Sequence, residues 1–327
     1  MSELRWNPLL KTFTIVASNR QARPNMPKDW CPFCPGSGKV PQVYDVYVYQ
    51  NDFPALSSTP PAPEVTGTEL YQVESSYGKC EVLLYSSNHH TTLPELPVYH
   101  IRKLVDLWTE RFIQISKDKR VKYIFPFENK GEVVGVTMPH PHGQLYAYPF
   151  VPLKLKVELD SCKEYYEKHG TDMLGDMNKQ EIAFGKRLIA ENNSFLVYLP
   201  YFTDYPYGIF IVHKQLKGNF AEFSDEEKND LAILLKNSTG ALDMLFDKQF
   251  PYMMCIHQTP VNTAEYADSN KYFRFHIEFY PPLRDANRVK FYASSEMGAW
   301  AATNTRAVEE TAEELRNSYN KFLAKQN

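Results

Sequence analysis

His140-Pro141-His142-Gly143-Gln144-Leu145-Tyr146-Ala147-Tyr148 alternates polar with small or apolar residues and closes on an aromatic strand pattern. Side chains along a strand point alternately to its two faces, so an extended reading puts His140, His142 and Gln144 on one face. A second stretch, Phe275-His276-Ile277-Glu278-Phe279-Tyr280, carries His-x-Glu in the same kind of strand. Working outward, the elements that precede the two stretches follow one order. In the first half, 80–85 reads as a strand. A helix near 95–117 follows, with Val98, Ile101, Val105, Trp108, Phe112 and Ile115 on one stripe, and then a strand over 123–127. In the second half, 208–212 is the strand and Ser224-Asp225-Glu226-Glu227 resembles a capping box. It opens a helix near 225–246, and 252–256 is the next strand. Strand, long helix, strand, histidine-bearing strand, twice over, implies an internal duplication. The fold class expected is α+β, mainly antiparallel sheet with helices packed outside. The halves are set at 1–170 and 171–327, with 159–190 read as charged and helical and 303–325 as a polar terminal helix.

Composition narrows the function. The 327 residues are 43% hydrophobic and 23% charged, with 22 Tyr and 20 Phe to fill a core, which excludes disorder and collagen-like repeats. Lys+Arg 36 against Asp+Glu 39 leaves a net charge of -3, so no global positive field is available to hold a nucleic-acid backbone. A phosphorylated small molecule remains open, because a few local arginines suffice for it. The N-terminal segment lacks a basic stretch followed by an apolar core, and no later apolar run approaches ~18 residues. Five cysteines are sparse and odd in number, which argues for a reducing compartment. The expectation is a cytoplasmic protein that neither spans nor docks on a membrane.

Cys31-Pro32-Phe33-Cys34 offers two thiolates in a turn short enough to place both on one metal ion. His89 or His90, together with His140, would complete a Cys2His2 zinc site from distant loops. A redox dithiol is the opposing reading, but it requires a helix after the second cysteine, and Pro35-Gly36-Ser37-Gly38 breaks helices. Gly36-Ser37-Gly38-Lys39 fails as a phosphate loop, since Phe33 and Val40 stand where Gly and Ser or Thr are needed. If zinc fixes His140, it also anchors the backbone carrying His142, and a rigidly held imidazole makes a good nucleophile. Two histidines satisfied by sheet neighbours is the alternative. Gly131, Gly135 and Gly143 weigh against it, because they permit close backbone approach to a ligand.

The chain also carries Arg20-Gln21-Ala22-Arg23-Pro24, Asn51-Asp52-Phe53-Pro54-Ala55-Leu56, Thr92-Leu93-Pro94-Glu95-Leu96 after His89, Asn129-Lys130-Gly131, and Phe279-Tyr280-Pro281-Pro282-Leu283. With the motifs above, in this order, it resembles the galactose-1-phosphate uridylyltransferase family of the histidine triad superfamily over nearly its whole length. The resemblance implies a duplicated histidine-triad-like half-barrel and a transferase moving UMP from UDP-glucose to a hexose-1-phosphate through a covalent uridylyl-histidine. His142 is then the nucleophile, and Gln144 holds the phosphoryl oxygens. Cys31, Cys34, His89 and His140 are the zinc ligands, with His90 a bystander. Asn51, Asp52 and Phe53 bind uridine and ribose, Asn129 and Thr137 lie beside the phosphates, and Arg20 and Arg23 offer forks to the diphosphate. Lys290 and Glu296 match the hexose-phosphate segment, which in the family serves the neighbouring subunit and so implies a homodimer.

Two departures bear on this reading. The family's second metal site, one Glu and three His, here reads Glu158, His257, His276 and Glu278, so the last ligand has become a carboxylate. These four residues are either a second Zn or Fe site or a buried ion-paired group. Ser295 and Ala302 stand where the family often has Tyr and Gln, which touches the choice of sugar. The rival readings are a related nucleotidyltransferase such as an ADP-glucose phosphorylase, a nucleotide hydrolase, which Gln144 disfavours because an amide cannot assist water, and a non-catalytic zinc-stabilised binding protein.

Overall fold

The computed structural model describes residues 2–22 and 30–326. The first half contains β1 (Ser2–Asn7), β2 (Thr12–Ala17), β3 (Tyr47–Gln50), β4 (Val73–Ser75), β5 (Lys79–Leu84), helix α1 (Val98–Ile115), β6 (Tyr123–Lys130) and β7 (His142–Tyr148). Helices α2 (Leu153–His169) and α3 (Met173–Phe184) follow. Then come β8 (Leu188–Glu191), β9 (Phe195–Tyr198), β10 (Phe210–His213), α4 (Asp225–Leu245), β11 (Tyr252–His257), β12 (His276–Tyr280), α5 (Ser294–Gly298) and α6 (Val308–Gln326).

Nine strands form one antiparallel sheet in the order β3-β5-β7-β6-β11-β12-β10-β9-β8. The series β5, α1, β6, β7 and the series β10, α4, β11, β12 take mirrored places on either side of the β6/β11 pair. Mixed helix and antiparallel sheet is therefore the observed class. Alternation decides which residue of β7 faces which layer: Leu145 and Ala147 are fully buried under the helices, whereas His142, Gln144, Tyr146 and Tyr148 take the other face. On the helix side, Ile101, Val105, Trp108 and Phe112 of α1 join Leu231, Leu234, Leu235 and Leu242 of α4 in one core. The Trp108 ring lies between Tyr85 at 6.3 Å and Phe220 at 5.9 Å; truncating so buried a ring costs about 3–5 kcal/mol. The expected capping box opens α4: Ser224 Oγ accepts from the Glu227 N–H at 3.2 Å, and Glu227 Oε2 accepts from the Ser224 N–H at 2.6 Å.

Three expectations need correction. The segment read as helical over 159–190 is two helices that begin at 153, and its last residues already belong to β8. A three-stranded sheet, β2-β1-β4, was not anticipated, because its strands are short and β4 lies far from β1 in sequence. The pairing of His140 with His142 also arises differently. β7 begins at His142, and His140 lies just before it, 1% exposed, so the strand's own alternation does not place it.

Candidate active site

Cys31 and Cys34 sit on a turn in which the Cys34 N–H donates to the Cys31 carbonyl at 3.3 Å, with no helix after it. His89 follows β5 and His140 precedes β7, which is hydrogen-bonded to β5 along its length. The four side chains converge: Cys31 Sγ and Cys34 Sγ are each 3.7 Å from His140 Nδ1, and His89 Nδ1 is 3.3 Å from both Cys34 Sγ and His140 Nδ1. Tetrahedral zinc with bonds of about 2.3 Å to sulfur and 2.0–2.1 Å to nitrogen implies S···N edges of about 3.6 Å and N···N edges of about 3.3 Å, so the donor set fits that ion. The tautomer fits as well. His140 Nε2 donates to the Ser86 carbonyl at 2.8 Å, with the Tyr44 hydroxyl at 3.1 Å, leaving Nδ1 the basic nitrogen. Burial lowers the His140 pKa to about 4, so its ring is neutral at pH 7, and burial pushes the Cys31 thiol up to about 11. A thiolate there needs a cation beside it. His90 lies off the cluster with its ring edge on His89.

His142 stands beside this cluster. Its Nδ1 lies 2.7 Å from the His140 carbonyl oxygen, which can only accept, so Nδ1 carries the hydrogen and Nε2 is the basic nitrogen. The Phe33 ring, between the two cysteines in sequence, packs against both His140 and His142, at 5.8 and 5.7 Å. Two clefts meet at His142. One is lined by Asn51, Asp52, Phe53 and Gln144; the other, of about 270 Å³, by Asn129, Thr137 and His140. The loop after β3 is ordered by its own side chains: Asn51 Oδ1 accepts from the Phe53 N–H at 2.9 Å, and Tyr49 donates to Asp52 Oδ2 at 2.8 Å. Arg20 reaches the same face of β7, donating to the Tyr146 hydroxyl at 3.1 Å. Arg23 lies outside the described residues.

Gly143 corrects another expectation. The space a side chain would fill is taken by the Tyr85 hydroxyl, 2.2 Å from where a Cβ would sit, and not by room for a ligand. Tyr44, Tyr85 and Glu128 were missed altogether. None belongs to a local motif, and only tertiary packing brings them to the histidines.

Lys290 and Glu296 lie elsewhere. Lys290 is buried over the rings of Tyr205 and Tyr292, 4.9 Å from each, and bonds the Asp204 carbonyl; Glu296 caps the Ala293 N–H at 3.2 Å. Among the described residues, the cavity beside Tyr205 and Tyr292 shares no lining residue with the two clefts at His142. The second cluster does assemble. His257 Nδ1 donates to Glu158 Oε2 at 2.7 Å, and His276 Nδ1 to the Arg274 carbonyl at 2.9 Å. Glu278 faces both rings at 3.5 and 3.7 Å. Lys154 was not anticipated there, yet its Nζ sits 2.6 Å from Glu278 Oε2 and 3.6 Å from Glu158 Oε1. Burial raises the Glu278 pKa, but His257 and Lys154 overcome this and hold the carboxyl well below the usual range.

A histidine with a fixed tautomer, an amide on the same strand face and a prearranged Cys2His2 donor set define a group-transfer enzyme. Residues 3–152 match the N-terminal domain of galactose-1-phosphate uridyl transferase and residues 158–325 its C-terminal domain, so the chain belongs to the galactose-1-phosphate uridylyltransferase family. It is 40% identical to the galactose-1-phosphate uridylyltransferase of Thermotoga maritima, covering 97% of this chain and 99% of that one. A solved uridylyltransferase structure superposes with a TM-score of 0.89 at 30% identity over 98% of this chain and 99% of that one. An ADP-glucose phosphorylase from Arabidopsis thaliana shares the fold, with a TM-score of 0.74 at 24% identity over 97% of this chain and 99% of that one. No helix among the described residues is long and apolar enough to cross a membrane.

Proposed function

We propose that this chain transfers UMP from UDP-glucose to galactose-1-phosphate, in galactose metabolism, through a uridylyl-His142 intermediate. The observation that carries this reading is the 2.7 Å hydrogen bond from His142 Nδ1 to the His140 carbonyl, which makes Nε2 the nucleophile and steadies the ring. The Nε2 lone pair forms a P–N bond to the α-phosphorus while the P–O bond to the β-phosphate breaks. Glucose-1-phosphate leaves with the electron pair, a stable anion that requires no strong acid. A phosphate oxygen of galactose-1-phosphate then attacks the same phosphorus and returns Nε2. Gln144 orients the phosphoryl oxygens and, as an amide, does not activate water. Asn51, Asp52 and Phe53 are assigned to uridine and ribose, Asn129 and Thr137 to the phosphates, and Arg20 and Arg23 to the diphosphate charge. Cys31, Cys34, His89 and His140 would hold a zinc ion, which would anchor the His140 segment. Release of glucose-1-phosphate from UDP-glucose but not from ADP-glucose supports this reading over an ADP-glucose phosphorylase; the reverse preference would sink it.

The mirrored element order supports two histidine-triad-like halves, 1–170 and 171–327, whose sheets join into a half-barrel. The separation of the cavity beside Tyr205 and Tyr292, over which Lys290 lies, from the clefts at His142 supports a homodimer in which the 290–296 segment serves the partner's pocket. Mixing inactive His142→Ala with inactive Lys290→Ala chains should restore activity, up to about a quarter of the sites being free of both lesions if subunits assort at random. Mixed dimers no more active than either parent would rule out a shared site. At the second cluster, Lys154 already pairs with both carboxylates, which favours an ion-paired group over a further Zn or Fe. Elemental analysis should return one zinc per chain; a second equivalent of zinc or iron retained after dialysis contradicts this. Five unpaired cysteines support a reducing, cytoplasmic setting.

A further inference from the structure

Beneath the nucleophile lies a polar group that the transfer chemistry leaves unused. Glu128 of β6 is 6% exposed and Tyr85, directly after β5, is 1% exposed. Glu128 Oε1 accepts from the Tyr252 hydroxyl of β11 at 3.0 Å. Its Oε2 and the Tyr85 hydroxyl are fully buried and face each other, and neither has any other hydrogen-bond partner among the described residues. A buried polar atom without a partner is costly, on the order of 1–3 kcal/mol, so each depends on the other.

Tyr85 grips the chain on both sides of His142. Its main-chain N–H donates to the Pro141 carbonyl at 3.0 Å, and its hydroxyl fills the space under Gly143. Its own carbonyl is held by His100 Nε2 at 2.7 Å, and its ring rests edge-on against Trp108. Glu128 meanwhile lines the cleft that His142, Asn129 and Thr137 share.

We propose that Glu128 and Tyr85 are positioning residues for the transfer reaction: the buried carboxyl steadies the Tyr85 hydroxyl beneath Gly143, and Tyr85 thereby holds the main chain around His142 for in-line attack. The inference rests on the reading of His142 as nucleophile. Glu128 Oε1 accepts from Tyr252, and the Tyr85 hydroxyl can meet Oε2 in either protonation state, accepting from the neutral acid or donating to the carboxylate. Burial pushes its pKa up to about 7, against the opposing pull of the Tyr252 hydroxyl, Lys130 and Tyr85, while Asp243 of α4 adds to the rise. Lys130 is engaged by Asp243 at 3.0 Å and so compensates the carboxylate only partly. The clamp therefore does not depend on the proton, whereas stability does. The folded chain keeps a proton that the unfolded chain loses at the ordinary 4.5, so stability falls between pH 4.5 and about 7 and levels off above.

The test measures single-turnover labelling of His142 from UMP-labelled UDP-glucose between pH 6 and 9, with thermal melts over pH 5 to 8, in wild type, Glu128→Gln, Glu128→Leu and Tyr85→Phe. Glu128→Gln, a permanently neutral isostere that donates to Tyr85 and accepts from Tyr252, should keep the wild-type rate and flatten the pH dependence of melting, whereas Glu128→Leu should slow labelling as Tyr85→Phe does. Tyr85→Phe should slow labelling roughly ten- to hundredfold with KM for UDP-glucose unchanged. A Glu128→Leu or Tyr85→Phe rate equal to wild type overturns the inference while labelling of wild type still upholds the function. If wild type takes no label, the function fails first, and the melting curves still decide whether Glu128 holds the proton. Should Glu128→Gln not fold, the Tyr85→Phe rate decides alone.

Discussion

His142→Gly is expected to abolish labelling from UMP-labelled UDP-glucose, by at least about 10⁴-fold, while leaving the fold and the zinc in place. Removing a nucleophile from a site that works as a unit costs on that order or more, because binding and orientation have nothing left to act through. The side chain is not among the four converging metal donors, so zinc content should match wild type. In wild type the label should appear with UDP-glucose alone, and initial rates with both substrates should give parallel lines in double-reciprocal plots, the pattern of a modified-enzyme intermediate. Protonating Nε2 removes its lone pair, so labelling should also decline in acid. Covalent label persisting in His142→Gly, or intersecting lines from a ternary complex, would place the chemistry elsewhere.

The second large effect belongs to the proposed zinc ligands. Cys34 Sγ faces both His89 Nδ1 and His140 Nδ1, at 3.3 and 3.7 Å, so Cys34→Ser removes a soft anionic donor from the middle of the cluster. Losing a group that merely orients a ligand already costs about 10–100-fold in metal affinity, and losing the ligand itself should cost more than about 100-fold. Metal binding is linked to folding, so melting temperature should fall with zinc content, and chelation of wild type should reproduce the loss. Activity should fall in parallel, because the His140 carbonyl that fixes the His142 tautomer belongs to one of the four proposed ligands. Cys34→Ser protein that keeps a full equivalent of zinc and its wild-type melting point would remove this account.

The histidine strand, the two long helices and the Cys-x-x-Cys turn were legible because each is written in local spacing: period two in 142–148, an apolar stripe through Trp108, and two thiols three residues apart. The capping box at Ser224 and Glu227 was legible for the same reason, since donor and acceptor lie within one turn. The β2-β1-β4 sheet was not, because β1 and β4 are about seventy residues apart and neither is long enough to show a pattern.

From the sequence alone came the residue types in the Cys/His cluster, the histidine-bearing strand and the order of elements, since these depend on residue identity and on neighbours joined by the chain. Which face His140 takes, what fills the space beside Gly143, and that the Lys154 ammonium lies against Glu278 were decided only in the folded molecule. Each is a matter of which groups share a volume from which water has been removed. There, an unpaired carboxyl or hydroxyl is costly enough that partners drawn from distant strands and helices, such as Tyr252 with Glu128 and Lys154 with Glu278, govern its state.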